Sequence, residues 1–236
     1  MSNYRAPRII GRLIKLFFTL IILAINAILV WRVFFSAAIP DGIKTLTPNE
    51  QLSAAYAQYG DELTLRYQDL ATITRAEQNY GYFSVPQCVF IPQANQVQIV
   101  FRYNNSTLEH LREDYALEQL PSREETLFDV TLVRTTDLTP ENKEDNIKDV
   151  TTLAKERYMP TSVERDTTTL YTYYRFVFDG ITVEELTDGI FVDVYYVGDI
   201  HYEQSAYGTL CIYDYLSEWL PYKPSSADKK ALAGEL

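Results

Sequence analysis

Asp199, His201 and Glu203 alternate along one short run of the chain. Residues two apart on a strand share a face, so this run could present two or three metal ligands in a line. No second His or Cys lies nearby in sequence, and the solvated face of an edge strand needs the same pattern, so solvation is the favoured reading. His110, in LEHLRED, falls on the polar side of a helical stretch. Asp137, Glu141, Asn142, Glu144, Asp145 and Asn146 form an oxygen-rich loop, the donor chemistry of a hard cation such as calcium. Their spacing does not match an EF-hand and a central Gly is missing, so a solvated acidic loop is favoured here too. The chain holds no G-x-S-x-G, H-E-x-x-H, P-loop or G-x-G-x-x-G pattern. Carboxylate pairs such as Glu184 and Glu185 sit in turn-like surroundings. The expectation is a protein without catalytic residues, metal ligands or cofactor.

Cys88 and Cys211 fall in two strand candidates. A disulfide is allowed outside the cytoplasm, but the parity of Leu210 and Ile212 turns Cys211 away from the core. A bond and two separate thiols stay equally open. Asn104-Asn105-Ser106-Thr107 contains two overlapping glycosylation sequons; the favoured reading is a strand end followed by a helix cap. Tyr is abundant, at 19 residues, which raises the question of sugar stacking or a protein contact. Tyr171, Tyr173, Arg175 and Tyr195 take the outward parity of their strands and are the candidate contact surface, with packing and protein contact ranked above sugar.

Charge divides the chain. The first 40 residues carry Arg5, Arg8, Arg12, Lys15 and Arg32 and no acid, which leaves 16 basic residues against 32 acidic ones in the remainder. So acidic a domain has no field to hold a nucleic-acid backbone. Residues 16–31 read LFFTLIILAINAILVW, without a charge. The stretch 13–35 is long enough to cross a bilayer core as a helix, with Trp31 at the interface. Asn26 is the one polar residue deep in it; tolerance of a lone Asn is favoured over a hydrogen bond across a helix pair. The basic flank predicts a cytoplasmic N-terminus and an extracytoplasmic remainder. Ser36-Ala37-Ala38 would suit a signal peptidase, but the apolar run exceeds a typical signal core, so an anchor is favoured over a cleaved signal.

The elements beyond the span follow from periodicity. Thr47-Pro48-Asn49-Glu50 predicts a capped helix ending at Gly60. QVQIVFRY over 96–103 alternates as a half-buried strand. Further strands are expected over 63–73, 80–91 (interrupted by Pro86, hence an edge or a sheet switch), 126–134, 170–179, 190–203 and 207–215. A helix of about ten residues follows Ser106. Residues 137–168 read as a long acidic loop with a short helix near 150–157, and 221–236 as a mobile tail. Seven antiparallel strands predict a mainly β fold, an immunoglobulin-like β-sandwich with one or two short helices behind a single transmembrane helix. The expected divisions are 1–12 cytoplasmic, 13–39 span, 40–61 juxtamembrane helix and linker, 62–220 sandwich, and 221–236 tail.

The basic N-terminus, the single span, QIVFRYNNSTLEHL, LYTYYRFVFDGI and GTLCIYDY together resemble uncharacterised single-pass membrane proteins of Gram-positive bacteria that carry an outward β-sandwich. The resemblance implies location and fold, and no activity. The functional expectation is a membrane-anchored, non-catalytic interaction or accessory protein of a membrane or envelope assembly, with a protein partner. The alternative is a surface-displayed module for a glycan or cation.

Overall fold

The computed structural model describes residues 5–34, 38–63, 66–70, 83–135, 155–187, 190–199, 206–212 and 220–234. It is mixed rather than mainly β, 38% helical and 34% strand. Two compact units divide at residue 38. The first contains helix α1 (Arg5–Phe34), whose segment Gly11–Trp31 is 21 residues long and apolar enough to cross a membrane.

The second unit begins at Ile39. Its strands are β1 (Arg66–Leu70), β2 (Phe83–Ile91), β3 (Gln96–Asn104), β4 (Phe128–Thr135), β5 (Lys155–Tyr158), β6 (Ser162–Thr167), β7 (Tyr171–Asp179), β8 (Ile190–Tyr196), β9 (Gly208–Ile212) and β10 (Leu220–Pro221). They form two antiparallel sheets, ordered β10-β1-β2-β3-β7-β6 and β5-β4-β8-β9. One parity of each sheet meets in a shared core. Phe90, Ile99, Phe101 and Phe176 come from the first sheet, and Phe128, Leu132, Val192 and Val194 from the second. Helix α4 (Asn105–Asp114) adds Leu108 and Leu111 to it.

Pro86 does not put β2 at an edge. The register of β2 against β3 shifts between Ser84 and Gln87, a bulge that absorbs the missing N–H donor. The bulge also resets parity, so Phe83 before it, Val85 within it and Cys88 and Phe90 after it all face the core. β5 and β6 lie within the stretch expected to be a loop, and their polar composition suits exposed edges. The acidic loop expected at 137–146 and the alternating His201 and Glu203 lie outside the described residues.

The outward face of the first sheet carries a second layer. Helix α2 (Asp41–Lys44), helix α3 (Glu50–Tyr59) and helix α6 (Ser226–Leu232) supply it; the remaining short helix, α5 (Val183–Thr187), leads into β8. Leu46, Leu52, Ala55 and Leu232 pack with Val89 and Ile91 of β2. Ile43 packs with Val100 and Tyr173. Burying each Leu stabilises by about 1.5–3 kcal/mol. Residues 40–61 are therefore part of the domain rather than a linker. The tail expected at 221–236 contains an ordered helix, with Ala231 and Leu232 buried. Asn49, not Thr47, caps α3 by accepting from Leu52 N–H, and Asn104, not Ser106, caps α4 by accepting from Thr107 N–H. Gly60 ends α3 at a positive φ of 53°, as its sequence position predicts.

Candidate functional site

Arg175 is the largest fully buried side chain among the described residues. Strand pairing places it in a row across the first sheet: Gln87 opposite Val100, Val100 opposite Arg175, and Arg175 opposite Glu164. Residues directly opposite share a face, so all four point away from the aromatic core and toward the second layer. There the chain from Ile39 to Asn49 crosses the sheet as a strap.

The strap is held by its backbone. Arg175 Nε donates to the Ile43 carbonyl at 2.6 Å, and Nη2 donates to the Lys44 carbonyl at 2.7 Å. Nη2 also donates to Gln87 Oε1 at 2.7 Å, and Nη1 to Gln98 Oε1 at 3.1 Å. Gln98 then grips Thr47 at both ends: its Oε1 accepts from Thr47 N–H at 3.0 Å, and its Nε2 donates to the Thr47 carbonyl at 2.8 Å. The Thr47 hydroxyl donates to Glu164. Asp179 receives the Asn49 amide on both oxygens at 3.0 Å, Gln96 Nε2 at 2.8 Å and the Thr161 hydroxyl at 2.6 Å.

Helix α6 closes the same seam. Asp228 Oδ1 accepts from Leu46 N–H at 2.7 Å, and Oδ2 accepts from the Tyr222 hydroxyl at 2.9 Å. Asp228 and Ser225 also form a reciprocal capping box, which fixes the start of α6. Asp228 thus serves its own helix and the strap at once.

The electrostatics match a fastener. Burial pulls the Arg175 guanidinium down to about 10, while nearby Tyr222, Asp228 and Glu164 oppose that shift. It stays protonated at neutral pH and donates four hydrogen bonds, all to neutral oxygens. Such a group holds carbonyls in place; it has no lone pair to act as a base. Burial pushes the Tyr222 phenol up, with Asp228 adding to the rise.

The four residues expected to form one contact surface do not. Tyr173 and Arg175 are fully buried and Tyr195 is 3% exposed. Tyr171 is half-buried and takes the Arg102 guanidinium over its ring at 4.6 Å. Outward parity is correct for all of them, but a second layer covers the first sheet's outer face. Tyr195 lies on the other sheet, with its hydroxyl 3.3 Å from Asp193 and Arg157 over its ring at 5.6 Å. Cys88 is a buried free thiol that burial pushes up, and the side chain of Cys211 lies outside the described residues. Asp199 accepts from the Tyr115 hydroxyl at 3.0 Å, and His110 lies 4.0 Å from Glu113 on α4. Among the described residues no cluster of three His, Cys, Asp or Glu is placed to hold a metal.

Sequence reasoning missed Gln87, Gln96, Gln98, Asp179 and Asp228. The three Gln are signalled by the outward parity they share with Arg175 in strands otherwise rich in aromatic residues, and Asp228 by its capping-box spacing from Ser225. No family model, no curated protein and no solved structure matches the chain.

Proposed function

We propose that the chain is a single-pass, membrane-anchored protein with an acidic extracytoplasmic domain, acting as a non-catalytic accessory or interaction subunit of a membrane or envelope assembly. The observation that carries the reading is the strap. The residues that follow the apolar helix, from Ile39 to Asn49, are built into the domain by hydrogen bonds to buried Arg175 and Gln98, which Gln87 and Gln96 hold in turn. A domain tethered only for display needs a linker there, whereas a fastened entry suits a domain that must present its surface in a fixed relation to its own first residues. The basic residues before the apolar helix support a cytoplasmic N-terminus.

The strand order supports an immunoglobulin-like sandwich. In that fold one sheet runs A-B-E-D and the other C-F-G, with an added C′ strand beside C in some members. β2-β3-β7-β6 follows the first order and β5-β4-β8-β9 the second, with β1 and β10 as additions at the A edge.

Purifying the full-length protein from its native membrane in mild detergent tests the reading. The expected result is a stoichiometric protein companion identified by mass spectrometry, together with protease sensitivity of the domain from the outer side only. A protein that comes down alone and instead binds an isolated glycan or calcium would overturn the subunit role in favour of a ligand module.

A further inference from the structure

Asn26 and Thr19 are the two uncharged polar side chains of the apolar segment Gly11–Trp31. Both bond back to their own helix, Asn26 Nδ2 to the Ile22 carbonyl at 2.8 Å and Thr19 Oγ1 to the Lys15 carbonyl at 2.9 Å. The Asn26 bond uses one N–H of the amide. Its other N–H and its carbonyl oxygen have no partner among the described residues, and no part of the segment is buried. In hydrocarbon an unpaired amide is costly, and an amide is its own hydrogen-bonding complement.

Spacing strengthens the case. Thr19 and Asn26 are seven residues apart, one heptad, and Ile22 and Leu29 lie three residues beyond each. Thr19, Ile22, Asn26 and Leu29 therefore form an a/d seam along one side of α1. Two copies inserted by the same rule are parallel. In a parallel pair the a positions face each other, so Asn26 meets Asn26 at one depth, and a single Asn at an a position favours a two-stranded register.

We propose that α1 pairs with a second copy of itself along Thr19, Ile22, Asn26 and Leu29, with the two Asn26 amides hydrogen-bonded to each other. This rests on the reading of α1 as a membrane span. The interface makes the protein a dimer at the level of its anchor.

Oxidative cross-linking of full-length variants in membranes tests it, with carbonate extraction run on the same samples. Ile22→Cys and Leu29→Cys should cross-link above the parent, and Ile21→Cys and Ala24→Cys should not. Asn26→Leu, combined with Ile22→Cys, should weaken association roughly 5- to 30-fold, the range of interhelical hydrogen bonds in model spans, and Asn26→Gln should restore most of it. Equal or absent cross-linking at all four positions, with the chain still resistant to carbonate, would overturn the pairing and leave the anchor standing. A chain released by carbonate, or shortened by its apolar segment, would overturn the anchor and the pairing together.

Discussion

Arg175 shows how far residue-level reading reaches. Strand parity assigns its direction correctly, but parity cannot say whether the outward side meets water or a second layer. The difference is large in energy. Arg175→Met would leave the Ile43 carbonyl and the Gln87 amide oxygen buried without their Arg175 donor, and the part-buried Lys44 carbonyl without it too. We expect a loss on the order of 3 kcal/mol, read by urea unfolding of the full-length protein in detergent. Arg175→Lys should recover only part of it, because an ammonium cannot span the same fork of acceptors. Cys88 gives a second readout at this scale. A buried thiol pushed up by desolvation is poorly nucleophilic, so iodoacetamide should label it after denaturation and not before. Labelling of the native protein at Cys88 itself, told from Cys211 by peptide mass, would place Cys88 nearer solvent than the core packing allows. Tyrosines add a pH dependence. Burial raises Tyr115, Tyr158, Tyr174 and Tyr222, with Asp199, Glu185, Tyr103 and Asp228 respectively adding to the rise. In the unfolded chain they ionise near pH 10, where the folded state still holds their protons. Stability is therefore full below that value and falls as pH climbs through and beyond it. The part of the phenolate absorbance at 295 nm that belongs to these four should appear together with loss of near-UV circular dichroism, not ahead of it.

Elements were legible wherever the two faces differ in chemistry or the period is long. β3 was readable from QVQIVFRY because its two faces differ in chemistry. β7 and β8 were readable from aromatic and Val alternation, and the ten residues of α4 from Leu108 and Leu111. β5 and β6 were not, because KERY and SVERDT bury almost nothing and an edge strand can be polar on both sides. Helix α6 was missed for another reason. Seven residues of mixed charge are too few for a period, although Ser225 and Asp228 stand at capping-box spacing. Asp228→Ala removes that box and the Leu46 tie together. We expect it to cost about 2–3 kcal/mol; Ser225→Ala, which loses only a cap, should cost about 1 kcal/mol. Equal effects would mean that the bonds from Leu46 and Tyr222 to Asp228 contribute nothing together. The exposed pair Arg134 and Glu156, 3.4 Å apart on β4 and β5, should matter far less than either.

At the level of the whole molecule, the two antiparallel sheets were legible from strand spacing, and the second layer was not. Its contacts join residues far apart in sequence, and no local pattern encodes such a meeting. Its removal should be visible without any functional assay. A chain ending at residue 222 uncovers Leu46, Leu52, Val89 and Ile91 by losing Leu232, so limited proteolysis should cut within residues 39–49, a stretch that stays protected in the full-length protein. The bond from Leu46 to Asp228 spans 182 positions. At synthesis rates of about 5–20 residues per second, roughly 10–35 s separate the making of its two halves. The strap is the first piece of the domain to emerge and among the last to be secured. Throughout that interval its apolar side chains lack their final cover, so the time during which that face is open to unwanted contacts is set by the length of chain still to be made.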